Sequence, residues 1–106
     1  MEHIFEAFQK SFEKDEKAIF ITNVKDERNI DGDLMLTEKR MIFYPAKPQT
    51  IQDVLFISIA LIDKIVVTEK GVIVSSGEKS STYEMEHIKQ DFIEKIQKLN
   101  TNLIIE

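Results

Sequence analysis

At 106 residues the chain is long enough for one hydrophobic core and too short for two. Apolar residues make up 42% of it and charged residues 31%, a globular balance, and the formal net charge of −5 gives no general attraction to nucleic acid or anionic lipid. The absence of cysteine excludes a disulfide framework, a thiolate nucleophile and a cysteine-based zinc site, and it suits a reducing cytoplasm.

Taken in order, the chain opens on MEHIFEAFQKSFEK, whose acidic start and interrupted apolar residues do not read as a signal peptide. Ile4, Phe5, Phe8 and Phe12 fall at i, i+1, i+4 and i+8, which predicts an amphipathic helix over residues 1–15. Glu2, Glu6, Gln9, Lys10, Glu13 and Lys14 take its other side, with Glu6 and Lys10 at the supportive i, i+4 spacing. A helix this short is marginal alone in water, so its phenylalanine stripe must dock. The stripe has two destinations, the domain's own sheet or a partner surface, and Phe5, Phe8 and Phe12 are the candidate interface residues. The mixed charge of the polar face argues against a membrane surface as the destination. Glu13, Asp15 and Glu16, interrupted by Lys14, read as a solvated junction.

Residues 17–24, KAIFITNV, form a predicted strand with Ile19 and Ile21 pointing one way and Ala18 and Phe20 the other. Apolar residues on both faces need cover on both, and the N-terminal helix is the nearest cover for the outer one. Residues 25–31 are a charged connection. Residues 31–44, DGDLMLTEKRMIFY, read as a hairpin: Leu34 and Leu36 alternate with polar neighbours, residues 37–40 turn, and 41–44 resume an apolar run. Pro45 and Pro48 mark a loop, since proline cannot donate to a central ladder. Residues 53–62, DVLFISIALI, are the most apolar run and are predicted as a strand from their β-branched and aromatic content. Strands over 64–68 and 72–75 are joined at Gly71, expected to supply a positive φ. Residues 75–81 are predicted as an exposed loop, and Tyr83 and Met85 as the inward side of a last strand. Ile88, Phe92, Ile93, Ile96 and Leu99 give the apolar stripe of a helix over 87–100, stopped near Asn100 and Asn102. Leu103, Ile104 and Ile105 form an apolar tail that must pack.

The order is helix, about seven short strands, helix, which predicts an α+β chain, mainly β, with one antiparallel sandwich or barrel in a single domain. The pattern Gly-x-Leu-x-Leu-Thr-x-x-Arg-Met-Ile-Phe-Tyr over residues 32–44 resembles the hairpin of GRAM and bacterial PH-like domains, with Glu38 where that family carries asparagine. Residues 56–65, Tyr83 and residues 92–99 are similar to the family's next strand, closing strand and C-terminal helix, so the likeness spans about residues 17–99. The resemblance implies a PH-like partly open barrel over 17–85, two near-orthogonal sheets with the C-terminal helix over one end, and the N-terminal helix as an addition. Leu34, Leu36, Phe43, Ile57, Ile65, Val67, Ile73, Tyr83, Phe92 and Ile96 would then face inward.

Chemistry-bearing residues are sparse. His3 and His87 lie near predicted helix starts with no acid–nucleophile spacing, and Asp31 and Asp33 lack the spacing and terminal glutamate of a calcium loop. Gly32, Gly71 and Gly77 are isolated and cradle no phosphate. No catalytic residue, metal site, cofactor or small-molecule substrate is expected, and the chain does not read as an enzyme. The resemblance directs attention to the loop rim, where Lys25, Arg28, Lys47 and Lys79 are the candidate ligand contacts. Phosphate groups are held by several converging charge-assisted bonds. Asp26, Glu27, Asp31 and Glu78 offset these cations, so the rim is close to neutral. Arg40 matches the family's hairpin arginine and reads as a structural turn residue. Nucleic-acid binding lacks the interleaved basic and aromatic residues it needs. Two readings follow: a non-catalytic interaction domain that binds protein or associates with itself, and, as the alternative, a peripheral lipid-binding module.

Overall fold

The computed structural model describes residues 2–85 and 87–106, with the side chains of Glu2 and His3, and hence the role of His3, outside the described residues. Helix α1 (Glu2–Lys10) leads into strands β1 (Phe20–Asp26), β2 (Asp31–Leu36), β3 (Arg40–Pro45), β4 (Leu55–Ser58), β5 (Lys64–Val67), β6 (Gly71–Ser76) and β7 (Lys79–Glu84). Helix α2 (Lys89–Leu99) and a two-residue strand β8 (Ile104–Ile105) complete the chain. One eight-stranded sheet runs in the order β4-β3-β2-β1-β7-β6-β5-β8, open at β4 and β8. Its pairings are antiparallel except β5–β8, which is parallel. The expectation of about seven antiparallel strands is corrected on this point: the apolar tail is itself a strand, returned beside β5 after α2.

The sheet is curled. Val24 from β1, Leu34 and Leu36 from β2, and Met41 and Phe43 from β3 share one apolar cluster with Ile65 from β5, Val72 and Val74 from β6, and Tyr83 from β7. A flat sheet could not bring such distant strands to one centre. Phe92, Ile93 and Ile96 of α2 fill that centre, with Phe92 and Phe20 ring centroids 6.0 Å apart. Asn100 fixes the helix end by donating to the carbonyls of Ile59 and Ile62, each at 2.9 Å. Lys89 ties the other end down by donating to the Thr68 carbonyl at 2.6 Å.

The β2–β3 hairpin is as predicted, pairing Leu34 with Phe43 and Leu36 with Met41. Other local expectations are corrected. The apolar run 53–62 is not one strand: 3-10 turns at Ile51–Asp53 and Ile59–Leu61 bracket the four residues of β4. Residues 75–81 are not a loop, because β6 and β7 continue to a tight turn at Gly77, whose φ is 64°. Gly71 is not at a positive φ; it is required for space, since a Cβ there would stand 1.9 Å from the Tyr83 carbonyl oxygen. In β6 the inward residues are Val72 and Val74, so Ile73 faces the other way, and Val67 at the end of β5 is exposed. Shifting by one residue exchanges the faces of a strand.

The first helix is shorter than predicted and covers different strands. Ile4 and Phe8 pack on Ile42 and Val54, with Phe12, Met35, Tyr44, Ile51 and Phe56 around them. This second cluster lies on the outer face of β2–β4 and shares no residue with the core cluster. β3 therefore buries Met41 and Phe43 on one side and Ile42 on the other. The outer face of β1 is left uncovered, with Ile19 and Ile21 exposed. Among the described residues, no helix is long and apolar enough to cross a membrane.

Candidate functional site

Three features follow from this arrangement: a clasp that holds the N-terminal arm, an apolar groove beside it, and a polar cleft at the loop rim. The clasp is built on the β2–β3 turn. Thr37 accepts from the Arg40 amide at 2.9 Å and closes the turn, which places the Arg40 guanidinium against the segment after α1. Glu16 receives Arg40 Nε at 2.9 Å and an Arg40 terminal nitrogen at 2.8 Å, a two-point pairing, and the Thr37 hydroxyl donates to it at 2.7 Å. The Glu16 side chain is 1% exposed and that of Arg40 20%. Arg40 is also stacked between aromatic rings, 5.1 Å from the Phe12 centroid and 4.8 Å from that of Phe56. The planar, weakly hydrated guanidinium suits both kinds of contact at once. Burial pushes the Glu16 carboxyl up, but the hydrogen bonds from Arg40 and Thr37 outweigh it and hold the pKa below the ordinary value of 4.5. An exposed Glu13–Lys39 ion pair adds a second tie between the same two segments.

Glu16 is thus a buried anion and not part of a solvated junction, whereas Glu13 and Asp15 do remain exposed. Beyond the Glu13 amide, which it accepts at 3.1 Å, its side-chain partners lie more than twenty residues away, so no local pattern marks it as buried. Arg40 takes the structural role read for it from the turn.

The groove runs between α1 and β1. Phe5, Phe8, Gln9 and Phe12 form one wall, and residues 16–18, Ile21 and Met35 form the other wall and floor, enclosing about 470 Å³. It exists because α1 sits over β2–β4 and stops one strand short of the sheet's β1 side. Phe5 is 49% exposed and Ile21 58%, both large apolar side chains in contact with solvent. Of the three candidate phenylalanines, Phe8 is buried in the outer cluster, Phe12 is half-buried under Arg40, and only Phe5 is presented outward.

The rim cleft, about 520 Å³, lies between the β1–β2 turn, the segment after β3, and β7. Of the four candidate cations it brings together Arg28 and Lys47; Lys25 and Lys79 do not line it. Arg28 is engaged by Asp26 at 3.2 Å, and Asp26, itself buried, also accepts the amides of Arg28 and Ile30. Asp53 accepts the amides of Gln49 and Thr50. Glu27 and Asp53 stand in the same cleft as Lys47, so no concentration of positive charge forms. Burial pushes the Tyr83 phenol at the cleft's inner side up to about 12.

His87 is exposed ahead of α2. Among the described residues, no three His, Cys, Asp or Glu side chains cluster so as to hold a metal ion. No protein-family model matches the chain, and a search of curated proteins finds no match either.

Proposed function

We propose that the chain is a non-catalytic interaction domain of PH-like architecture, which binds protein, including a second copy of itself, through the outer face carried by α1 and β1. One observation carries the reading: the α1–β1 groove leaves Phe5 and Ile21 about half exposed on neighbouring walls of one apolar recess. Scattered single apolar residues are ordinary on a protein surface, whereas a contiguous recess lined by large ones is the usual form of a contact site. Helix-in-groove recognition of this kind needs no catalytic signature, in keeping with the sparse chemistry of the sequence. The PH-like assignment is supported by the hairpin pattern of residues 32–44, by a curled antiparallel sheet, and by α2 packed into its centre. The rim cleft gives less support to a lipid headgroup, since Arg28 is already paired and Lys47 faces Glu27 and Asp53 in the same cleft.

The test is light scattering on the full chain across a concentration series, beside a Phe5→Ser, Ile21→Ser double variant. The full chain is expected to associate reversibly, and the variant to stay monomeric with only a modestly lowered melting temperature, because about half of each side chain is already exposed and neither belongs to the core cluster. Equal association by both chains would remove the groove from the interface. Salt-sensitive flotation of the full chain with anionic vesicles would favour the lipid reading instead.

A further inference from the structure

Strand β4 ends the sheet with backbone groups unspent. It pairs antiparallel with β3, Met41 opposite Ile57 and Phe43 opposite Leu55. The Ile59 amide donates to the Lys39 carbonyl at 2.9 Å, which fixes the phase of that ladder. In an antiparallel pair, residues that bond to the neighbour alternate with residues that do not. Leu55 and Ile57 therefore spend their amides and carbonyls on β3, while Phe56 and Ser58 point theirs away from it. Among the described residues, none bonds to the Phe56 amide, the Phe56 carbonyl or the Ser58 amide. None of the four β4 residues is buried, and no charge or proline interrupts the strand. Opposite Met41 and Phe43 of the core, Leu55 and Ile57 carry the inner face of β3 out to this edge. There it stops, with Leu55 38% exposed.

We propose that the β4 edge takes an extended segment of a partner protein as a further strand, with apolar side chains at the alternate positions that fall beside Leu55 and Ile57. The occupant follows from the row itself. An amide, a carbonyl and a second amide in the plane of a sheet are matched by another strand and not by a helix, whose own backbone groups are already paired. A second copy's β4 fits poorly. Turns at Ile51–Asp53 and Ile59–Leu61 bracket the strand and would meet the other copy's turns at both ends. A free extended segment brings no turns with it. No β4 residue lines the α1–β1 groove, so this surface is independent of the one proposed above.

Ser58 makes the test direct. It is exposed and already holds φ −63° and ψ 129°, the backbone proline prefers, and Ile57 before it is extended. Ser58→Pro should therefore fold as the parent does, while it removes one amide of the row and covers the edge with a ring. The probe is a library of capped hexapeptides, apolar at alternate positions, added to the isotopically labelled full chain. Amide hydrogen exchange at Phe56 and Ser58 is expected to be fast in the free, dilute chain. It should be about tenfold slower when a peptide occupies nine-tenths of the sites. The same peptide N-methylated at its pairing amides should lose the effect, as should Ser58→Pro at its remaining Phe56 amide. The Phe5→Ser, Ile21→Ser variant should keep it. Slow exchange at both amides in the free, dilute chain, no protection by any library member, or equal protection by the N-methylated peptide would overturn the proposal. Protection that grows with the chain's own concentration and needs no peptide would give the edge to a second copy and overturn it as well.

Discussion

Replacing Phe92 by alanine is expected to destabilise the chain by about 3–5 kcal/mol, the usual range for truncating a fully buried ring. Phe92 is 0% exposed, and it stands where the two halves of the curled sheet meet α2. The cavity left behind cannot close easily, because β1, β3 and β6 are each held in register by ladder pairs on both sides. A domain of this size has a total stability of about 5–15 kcal/mol, so a large share is at stake. Thermal unfolding should show a melting temperature lower by more than about 10 °C. An unchanged melting temperature would mean that α2 is not part of the central core.

The second large effect is at the clasp. Arg40→Ala leaves Glu16 buried without its partner and is expected to cost about 3 kcal/mol, the low end for breaking a buried pair because a fifth of Arg40 still meets solvent. Phe12 and Phe56 lose a stacked cation in the same change. The pH dependence separates this from ordinary loss of packing. Because the folded-state pKa of Glu16 is lowered, its contribution is complete above the ordinary value of 4.5 and is shed as pH falls through the lowered folded value. Melts of the parent chain at decreasing pH should therefore lose the clasp's contribution across that acid interval. In Arg40→Ala the step should be absent or reversed, since the carboxylate is then more easily protonated. Parallel acid profiles for the two chains would show that the pair contributes nothing to stability.

How much of this was legible in the sequence depended on whether the signal was local. The β2–β3 hairpin was readable because Leu34 and Leu36 alternate cleanly and four polar residues mark the turn. In β6 the run Val72-Ile73-Val74 is apolar throughout, so periodicity could not say which residues face inward, and the choice of Ile73 was one residue out of register. The run 53–62 failed for the same reason: its near-continuous apolarity hid the 3-10 turn at Ile59–Leu61 that ends β4 after four residues. Gly71 was recognised as constrained but for the wrong cause, because the crowding comes from Tyr83 on the neighbouring strand. The site was less legible than the fold. The spacing puts Phe5, Phe8 and Phe12 on one helix stripe, but only the placement of α1 over β2–β4 divides them into one outward and two inward side chains. Glu16 and Arg40 lie 24 residues apart, and nothing in either neighbourhood announces the other.

The most direct measurement compares the full chain with one lacking residues 1–13, by solution mass and by thermal unfolding. With the core cluster intact, the shortened chain should keep its β-sheet circular dichroism. It should melt at a lower temperature, because Ile42 and Val54 lose their cover, and its solution mass across a concentration series should depart from that of the full chain. If mass and melting temperature are both the same with and without those residues, the N-terminal helix is neither an interface nor part of the packed structure, and the function proposed for it is wrong.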